Sequence, residues 1–357
     1  MLITPAVIID YDIMINNLIT TQRECDKRGI NLRPHFKAHK TPLLAEIQER
    51  IGAIGFTTAK LSEAELLKEE GFKDIIVAYP IVTQSNVSRL RELSEGIKVG
   101  TIVDSYEGVD VLNNGFEGSK LDVYIKIDTG LNRCGLKSSD DIIAFAKNIK
   151  LKRNLNLIGL LTHAGHSYKC SSLAEVMNIG QSEGKILLDI KNKLKASGIH
   201  IREISVGSTP TLNFVIDVQG VTEVRPGNYI FNDNTQLALR TSKMDNCALT
   251  VKTTVISKKE SGFIIDAGAK TLGLDKGTHG SNILEGYGKI LEYPEAQIVG
   301  LSEEHGFVNS QKQPEIGGVI TLIPNHSCVV MNLAPRVFLN KNNKLENIEN
   351  KGRLLNY

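Results

Sequence analysis

From Ile30 onward, short β-rich runs alternate with amphipathic helical segments, and no other feature of the chain restricts its fold as strongly. The runs fall at 30–37, 55–60, 74–80, 97–104, 121–128, 156–163, 201–207 and 223–229. Helix-like stretches such as 42–50, 63–70, 138–149 and 173–196 lie between them. A strand that returns parallel to its predecessor needs a long crossover, normally a helix, so this alternation predicts a parallel sheet. Eight such units predict an α/β fold closed into a TIM-like (β/α)8 barrel. A doubly wound open sheet is the alternative on pattern alone.

After about residue 235 the pattern changes. Runs at 249–257, 262–266, 296–301 and 318–323 are joined by Gly-, Asp- and Asn-rich turns, with no helix expected between them. The chain is therefore expected to divide into a barrel domain, 1–235, and a mostly-β C-terminal domain, 236–357. The run 6–10, followed by a helix-like stretch over 12–28, could serve either domain. The tail 341–351 is polar and reads as a surface segment.

Composition closes off several functions. A formal net charge of +2 with 23% charged residues points away from nucleic acid and from anionic membranes as partners. No apolar run approaches the ~20 residues that span a bilayer. The first residues lack the basic-then-apolar pattern of a signal peptide. Five cysteines, Cys25, Cys134, Cys170, Cys247 and Cys328, are scattered without a CxxC, which favours a reducing cytoplasm over a disulfide framework.

Chemistry-bearing residues collect at the C-terminal ends of the expected strands, where barrels carry their active sites. The octapeptide Arg33-Pro34-His35-Phe36-Lys37-Ala38-His39-Lys40 closes the first run. If the run is extended to its end, Arg33, His35 and Lys37 share one face. A lysine beside other cations and partly buried has a depressed pKa and a free amine, so Lys37 is the expected Schiff-base lysine. Lys40 is expected to fall past the strand, and Lys60 is the second choice for a cofactor-facing cation. Asp128-Thr129-Gly130 ends the fifth run and leads to Arg133, while His163 ends the sixth and leads to Tyr168. Gly207-Ser208-Thr209 ends the seventh, and Arg225-Pro226-Gly227-Asn228-Tyr229 lies in the eighth and its exit. Two glycine-containing turns on neighbouring strands read as a phosphate cradle.

In the second domain, His326 and Cys328 stand two residues apart in Pro324-Asn325-His326-Ser327-Cys328. On an extended segment both side chains point the same way and can share a metal, with imidazole plus thiolate favouring Zn²⁺. Glu303-Glu304-His305-Gly306 could supply a supporting or acid/base group, whereas Asp266-Ala267-Gly268-Ala269-Lys270 reads as a turn.

Taken in order, Arg-Pro-His-x-Lys-x-His-Lys, Asp-x-Gly-x-x-Arg-Cys-Gly, Gly-Ser-Thr, Arg-Pro-Gly-x-Tyr, Glu-His-Gly and Pro-Asn-His-x-Cys resemble the D-threonine aldolase and D-serine dehydratase family. These are fold type III pyridoxal 5'-phosphate (PLP) enzymes whose barrel is related to that of alanine racemase. The resemblance runs over nearly the whole chain. It implies Lys37 as the lysine that carries PLP, and Gly207, Ser208, Thr209, Gly227 and Asn228 around its phosphate. It also implies His163, Tyr168, Arg133 and Arg225 around the ring, and a divalent metal, Zn more than Mn, on His326 and Cys328. A homodimer and a small D-amino acid substrate are implied as well. His-x-Cys is the dehydratase pattern and His-x-Asp the aldolase one, so D-serine dehydratase leads and D-threonine aldolase is the alternative. A racemase needs a second acid/base group that has no counterpart here. A non-catalytic PLP-binding protein resembles the lone barrel, against which the long second domain argues.

Overall fold

In the computed structural model, which describes residues 2–355, the strands sort into two sheets. The first strand, β1 (Ala6–Asp10), precedes a helix over Tyr11–Asp26 and does not join the barrel. The barrel sheet holds β2 (Asn31–Leu32), β3 (Phe56–Thr58), β4 (Asp74–Pro80), β5 (Lys98–Val103), β6 (Leu121–Lys126), β7 (Leu155–Leu161), β8 (Glu203–Val206) and β9 (Glu223–Val224). Its order is β2-β9-β8-β7-β6-β5-β4-β3, parallel throughout. The ring is joined by a parallel bridge between His35 and Thr57, where Thr57 N–H donates to the Pro34 carbonyl at 2.8 Å. The eight-unit barrel expectation therefore holds, and the open sheet does not.

Strands covered on both faces need apolar side chains on both faces. β5, β6 and β7 meet that need almost without interruption. Ile76, Ile102, Tyr124, Ile158 and Leu161 pack as one cluster from neighbouring strands, separate from the larger core that includes Val123, Phe145 and Leu187. A polar layer lies beside them: Arg33, 1% exposed, donates to Glu223 at 2.7 Å and to Asp74 at 2.6 Å. Tyr124 donates to Glu203 at 2.6 Å.

The second sheet runs β11-β14-β13-β12-β15-β10-β1-β16-β17. Its members are β10 (Leu249–Lys259), β11 (Gly262–Ile265), β12 (Lys289–Ile290), β13 (Gln297–Leu301), β14 (Gly306–Asn309), β15 (Val319–Ile323), β16 (Arg336–Lys341) and β17 (Lys344–Glu349). Pairing of β10 with β11 closes the first six into a small antiparallel barrel. β1 lies between β10, antiparallel, and β16, parallel. Asp266 accepts from Thr4, Thr253 and Thr254 where the chain bends after β11, and the turn expected over 266–270 becomes helical from Ala269.

One expectation for this region is corrected. Short helices over Ala269–Leu272 and Ser327–Leu333 interrupt the strands, because their few residues carry too little periodicity to register. The polar tail lies mostly on the surface, as expected. It completes the β16–β17 hairpin through Asn342 and Asn343, both with positive φ (51° and 59°), the backbone that two-residue hairpin turns demand. Asn350 is then buried and donates to the Met331 carbonyl at 2.6 Å. Residues 1, 356 and 357 of the expected domain spans lie outside the described residues. Among the described residues, no helix is long and apolar enough to cross a membrane.

Candidate active site

The C-terminal ends of the barrel strands and the segment after β15 enclose a cavity of about 360 Å³. Lys37, Arg133, His163, Tyr168, Gly207, Ser208, Thr209, Arg225, Gly227, Asn228, His326 and Cys328 all line it. Lysines 37, 40, 60 and 126 and arginines 133 and 225 face one carboxylate there, Glu63, among the described residues. Such a cavity is electrostatically suited to an anion.

Lys37 reaches the cavity by a different route from the one expected. Regular pairing of β2 ends at Leu32, the Arg33 and His35 N–H groups still donate to the Val224 and Pro226 carbonyls, and Phe36–Ala38 then forms a 3₁₀ turn. Arg33 points into the ion network beneath the cavity and His35 into the cavity above it, whereas Lys37 lines the cavity from the 3₁₀ turn, so the strand face expected for Lys37 is corrected. Burial lowers the Lys37 pKa; the nearby Cys328 thiol opposes this and Arg133 adds to it.

Gly207, at φ +98°, adopts a backbone that an L side chain rarely takes. The turn it permits leaves the Thr209 N–H without an acceptor among the described residues, as are the N–H groups of Gly227 and Asn228. The Thr209 hydroxyl faces the same cavity beside the Tyr168 phenol. Buried polar groups are rarely left unpaired, so these donors fit the oxygens of a bound phosphate. Beneath them Arg225 donates to the Ser205 hydroxyl and to the Thr162 carbonyl.

His163 meets His279, an unanticipated residue from the β-rich domain, with their Nε2 atoms 3.3 Å apart. The His279 ring also lies 5.1 Å from that of Tyr168. Burial, reinforced by the Lys37 charge, keeps both imidazoles neutral, with His279 held at about 3. Burial drives Tyr168 well above the usual phenol range, so it stays a proton donor. Lys126 also lines the cavity, pushed down to about 7 by burial and then by Arg225. A lysine ending the apolar run Val123-Tyr124-Ile125 was the available signal for it.

His326 and Cys328 are not on an extended segment. His326 (φ −143°, ψ 97°) caps the Ser327–Leu333 helix, and the first turn of that helix carries Cys328 into the same cavity. His326 donates from Nδ1 to Asp275 at 2.8 Å. Burial opposes the imidazolium, but Asp275 and Cys328 outweigh it and raise His326 to about 10. Among the described residues no group of three or more His, Cys, Asp or Glu forms a closed metal cage. An imidazole and a thiol with Asp275 behind them fit a metal whose remaining positions stay open, as catalysis requires. Asp233 ties the two halves of the cavity together, accepting from Asn228 Nδ2 at 2.6 Å and from Ser327 N–H at 3.1 Å.

The supporting role considered for Glu303, Glu304 and His305 is corrected. Both glutamates pair with Lys270 on the surface, at 2.8 and 3.0 Å, and none of the three lines the cavity. Lys40 falls past the strand and just before the next helix, as expected, and it also lines the cavity: it donates to Asn332 at 2.8 Å and pairs with Glu63 at 3.5 Å. Lys60 lines the rim, 4.3 Å above the centre of the Tyr79 ring.

Comparison with known proteins agrees with this architecture. The alanine racemase N-terminal domain family matches residues 9–235, and the serine dehydratase domain family matches 248–340. D-threo-3-hydroxyaspartate dehydratase of Delftia sp. strain HT23 is 31% identical over 344 residues, covering 91% of this chain and 90% of that protein. D-serine dehydratase of Dictyostelium discoideum is 29% identical over 361 residues, with the same two coverages, 91% and 90%. The solved structure of the Delftia enzyme superposes with a TM-score of 0.92 at 29% identity, over 99% of this chain and 98% of its own. It has also been solved as a cysteine-to-alanine variant in the metal-free form. Alanine racemase of Bacillus anthracis, at 19% identity and a TM-score of 0.71 over 98% of both chains, shares the fold. Matched along both its barrel and its β-rich part, the chain belongs to the D-threonine aldolase and D-serine dehydratase family of lyases, on the alanine racemase-type barrel.

Proposed function

We propose that this chain is a PLP- and divalent-metal-dependent lyase acting on D-3-hydroxy amino acids, with D-serine dehydratase the leading activity. The observation that carries the reading is one cavity lined by Lys37, by unpaired N–H donors around Gly207 and Asn228, and by the His326–Cys328 pair. The dehydratase names of the two relatives support it, as does the metal-free state of the relative's cysteine variant. Imidazole with thiolate favours Zn²⁺ over Mn²⁺. The reading includes a homodimer, which light scattering checks.

When bound, PLP supplies an electron sink for a carbanion at Cα, and the metal supplies Lewis acidity at the β-hydroxyl. The chain's residues do the rest. The lowered pKa of Lys37 favours the free amine, the form that is nucleophilic toward a carbonyl and then basic toward the α-proton on its own face. Thr209, Gly227 and Asn228 would hold the phosphate through backbone N–H groups, and Arg133 and Arg225 would add positive charge around the cofactor. His326 and Cys328 would hold the metal, with Asp275 fixing the imidazole. His163 and Tyr168, ordered by His279, wall the reacting centre on the barrel side. Net loss of water from D-serine, followed by hydrolysis, gives pyruvate and ammonia.

The test is product analysis on D-serine and D-threonine with PLP and Zn²⁺ or Mn²⁺ supplied. Pyruvate from D-serine and 2-oxobutyrate from D-threonine are expected. Glycine with acetaldehyde from D-threonine would replace the dehydratase with the aldolase, and neither product set would overturn the lyase reading.

A further inference from the structure

The phosphate-type turn rests on a buried carboxylate that the proposed chemistry does not use. Glu183, 1% exposed, lies on the inner face of the long helix Leu173–Ala196. Gly180 and Gly184 flank it on that face and let the helix approach the segment after β8. A Cβ on Gly180 would come within 3.0 Å of Phe214 Cβ, and one on Gly184 within 3.0 Å of Val218. This close approach delivers both Glu183 oxygens to the turn. Oε1 accepts from the Thr211 hydroxyl at 2.7 Å, and Oε2 accepts from the Gly207 N–H at 3.3 Å. Thr211 Oγ1 in turn accepts from the Ser208 N–H at 3.1 Å. The carboxylate thus holds, directly or through one hydroxyl, the first two residues of the Gly207-Ser208-Thr209 turn.

No lysine or arginine forms an ion pair with Glu183 among the described residues. The charged groups that face it from neighbouring elements are Lys126 of β6 and Arg225 after β9. Burial raises it to about 7, against the hydrogen bonds from Thr211 and Gly207. A phosphate dianion seated on the turn brings two more negative charges to the far side of the same backbone. Adjacent anions in a water-poor site raise each other's proton affinity, and the carboxyl is the group able to take the proton.

Resting on the proposal that the turn holds a phosphate-bearing cofactor, we propose that Glu183 couples capture of that phosphate to uptake of a proton. It is a positioning residue: ionised, it braces the empty turn, and protonated, it lets the turn carry a dianion. Uptake of about one proton on binding makes affinity fall by up to about tenfold per pH unit once the free carboxyl is ionised.

The test uses the full chain freed of cofactor and titrated with PLP by calorimetry at pH 8, in two buffers of different ionisation enthalpy. Glu183→Gln, which keeps the shape and removes the titration, runs in parallel, with pyridoxal as the phosphate-free control. Wild type is expected to take up more protons than Glu183→Gln by nearly one with PLP and by none with pyridoxal. Thr211→Val keeps the carboxyl but removes its shortest hydrogen bond, so the midpoint of the PLP pH dependence should move upward. Equal proton counts for wild type and Glu183→Gln, with PLP bound, would overturn the coupling and leave the cofactor assignment standing. Should Glu183→Gln not fold, an unmoved midpoint in Thr211→Val overturns the coupling instead. No PLP binding by wild type would overturn the cofactor assignment and the coupling with it.

Discussion

His326 donates through Nδ1 to Asp275 Oδ2 at 2.8 Å, across a sequence separation of 51 residues. With that nitrogen committed, Nε2 is the one left to meet a ligand, and the ring cannot turn away without breaking the bond. Partners of this kind typically change metal affinity by about 10–100-fold. Asp275→Ala is therefore expected to weaken divalent-metal binding by that order, read by competition with a chromogenic chelator. Wild-type affinity in the variant would remove Asp275 from the site.

Lys37→Ala should abolish the visible absorbance of the lysine-bound cofactor and lower kcat by at least about a thousandfold. Both readouts come from one purified sample. A spectrum unchanged from wild type would end the assignment of Lys37.

Removing the thiol separates the two proposed cofactors. Cys328→Ala is expected to lose metal-dependent turnover while retaining the PLP absorbance, and a chelator should reproduce the loss in wild type. Turnover that survives both treatments would exclude a metal role for Cys328.

The ion network beneath the cavity makes a prediction about stability. Arg33 is 1% exposed and its Nε bonds to Glu223, itself buried. Removing one partner of such a pair leaves an uncompensated charge and costs about 3–5 kcal/mol. Arg33→Met, which leaves buried Glu223 without its ion-pair partner, should show a loss of that order in denaturant unfolding, whereas a change within about 0.5 kcal/mol, typical of surface sites, would contradict the network's role.

Lys126 sets a pH dependence. Its folded pKa is about 7 against an ordinary 10.5, so between these values the unfolded chain binds the proton and the folded one does not. Stability should therefore rise with pH across that window as far as Lys126 is concerned. Lys126→Met should flatten the slope there, measured by unfolding at several pH values in the absence of added cofactor. An identical slope in the variant would show that Lys126 does not titrate in the window.

The barrel was legible because its signal repeats: β6 and β7 are apolar on both faces, and each is followed by a helix with one apolar face. Strand ends were not, and the end of β2 shows why. The chain stays extended as far as His35 and then winds Lys37 into a 3₁₀ turn, a local event that a window of alternating residues averages away. Lys37 could still be singled out, since its residue type and its cationic neighbours carry the argument whatever the exact backbone. His279 and Asp275 could not. Their importance comes from contacts across 116 and 51 residues, to His163 and His326, and nothing local to Gly277-Thr278-His279-Gly280 announces them.

The position of β1 has a consequence for biosynthesis. It precedes the whole barrel in the chain, yet its hydrogen-bonding partners, β10 and β16, emerge from the ribosome only after the barrel is complete. For most of translation, Ala6–Asp10 is an apolar strand with both edges open, the kind of segment that seeks foreign partners. A chain cut short before Arg336 would keep its barrel strands but lack the parallel neighbour of β1. Completion of the C-terminal third thus both supplies the His326–Cys328 pair and retires an adhesive edge, so truncated products should aggregate as well as lack activity.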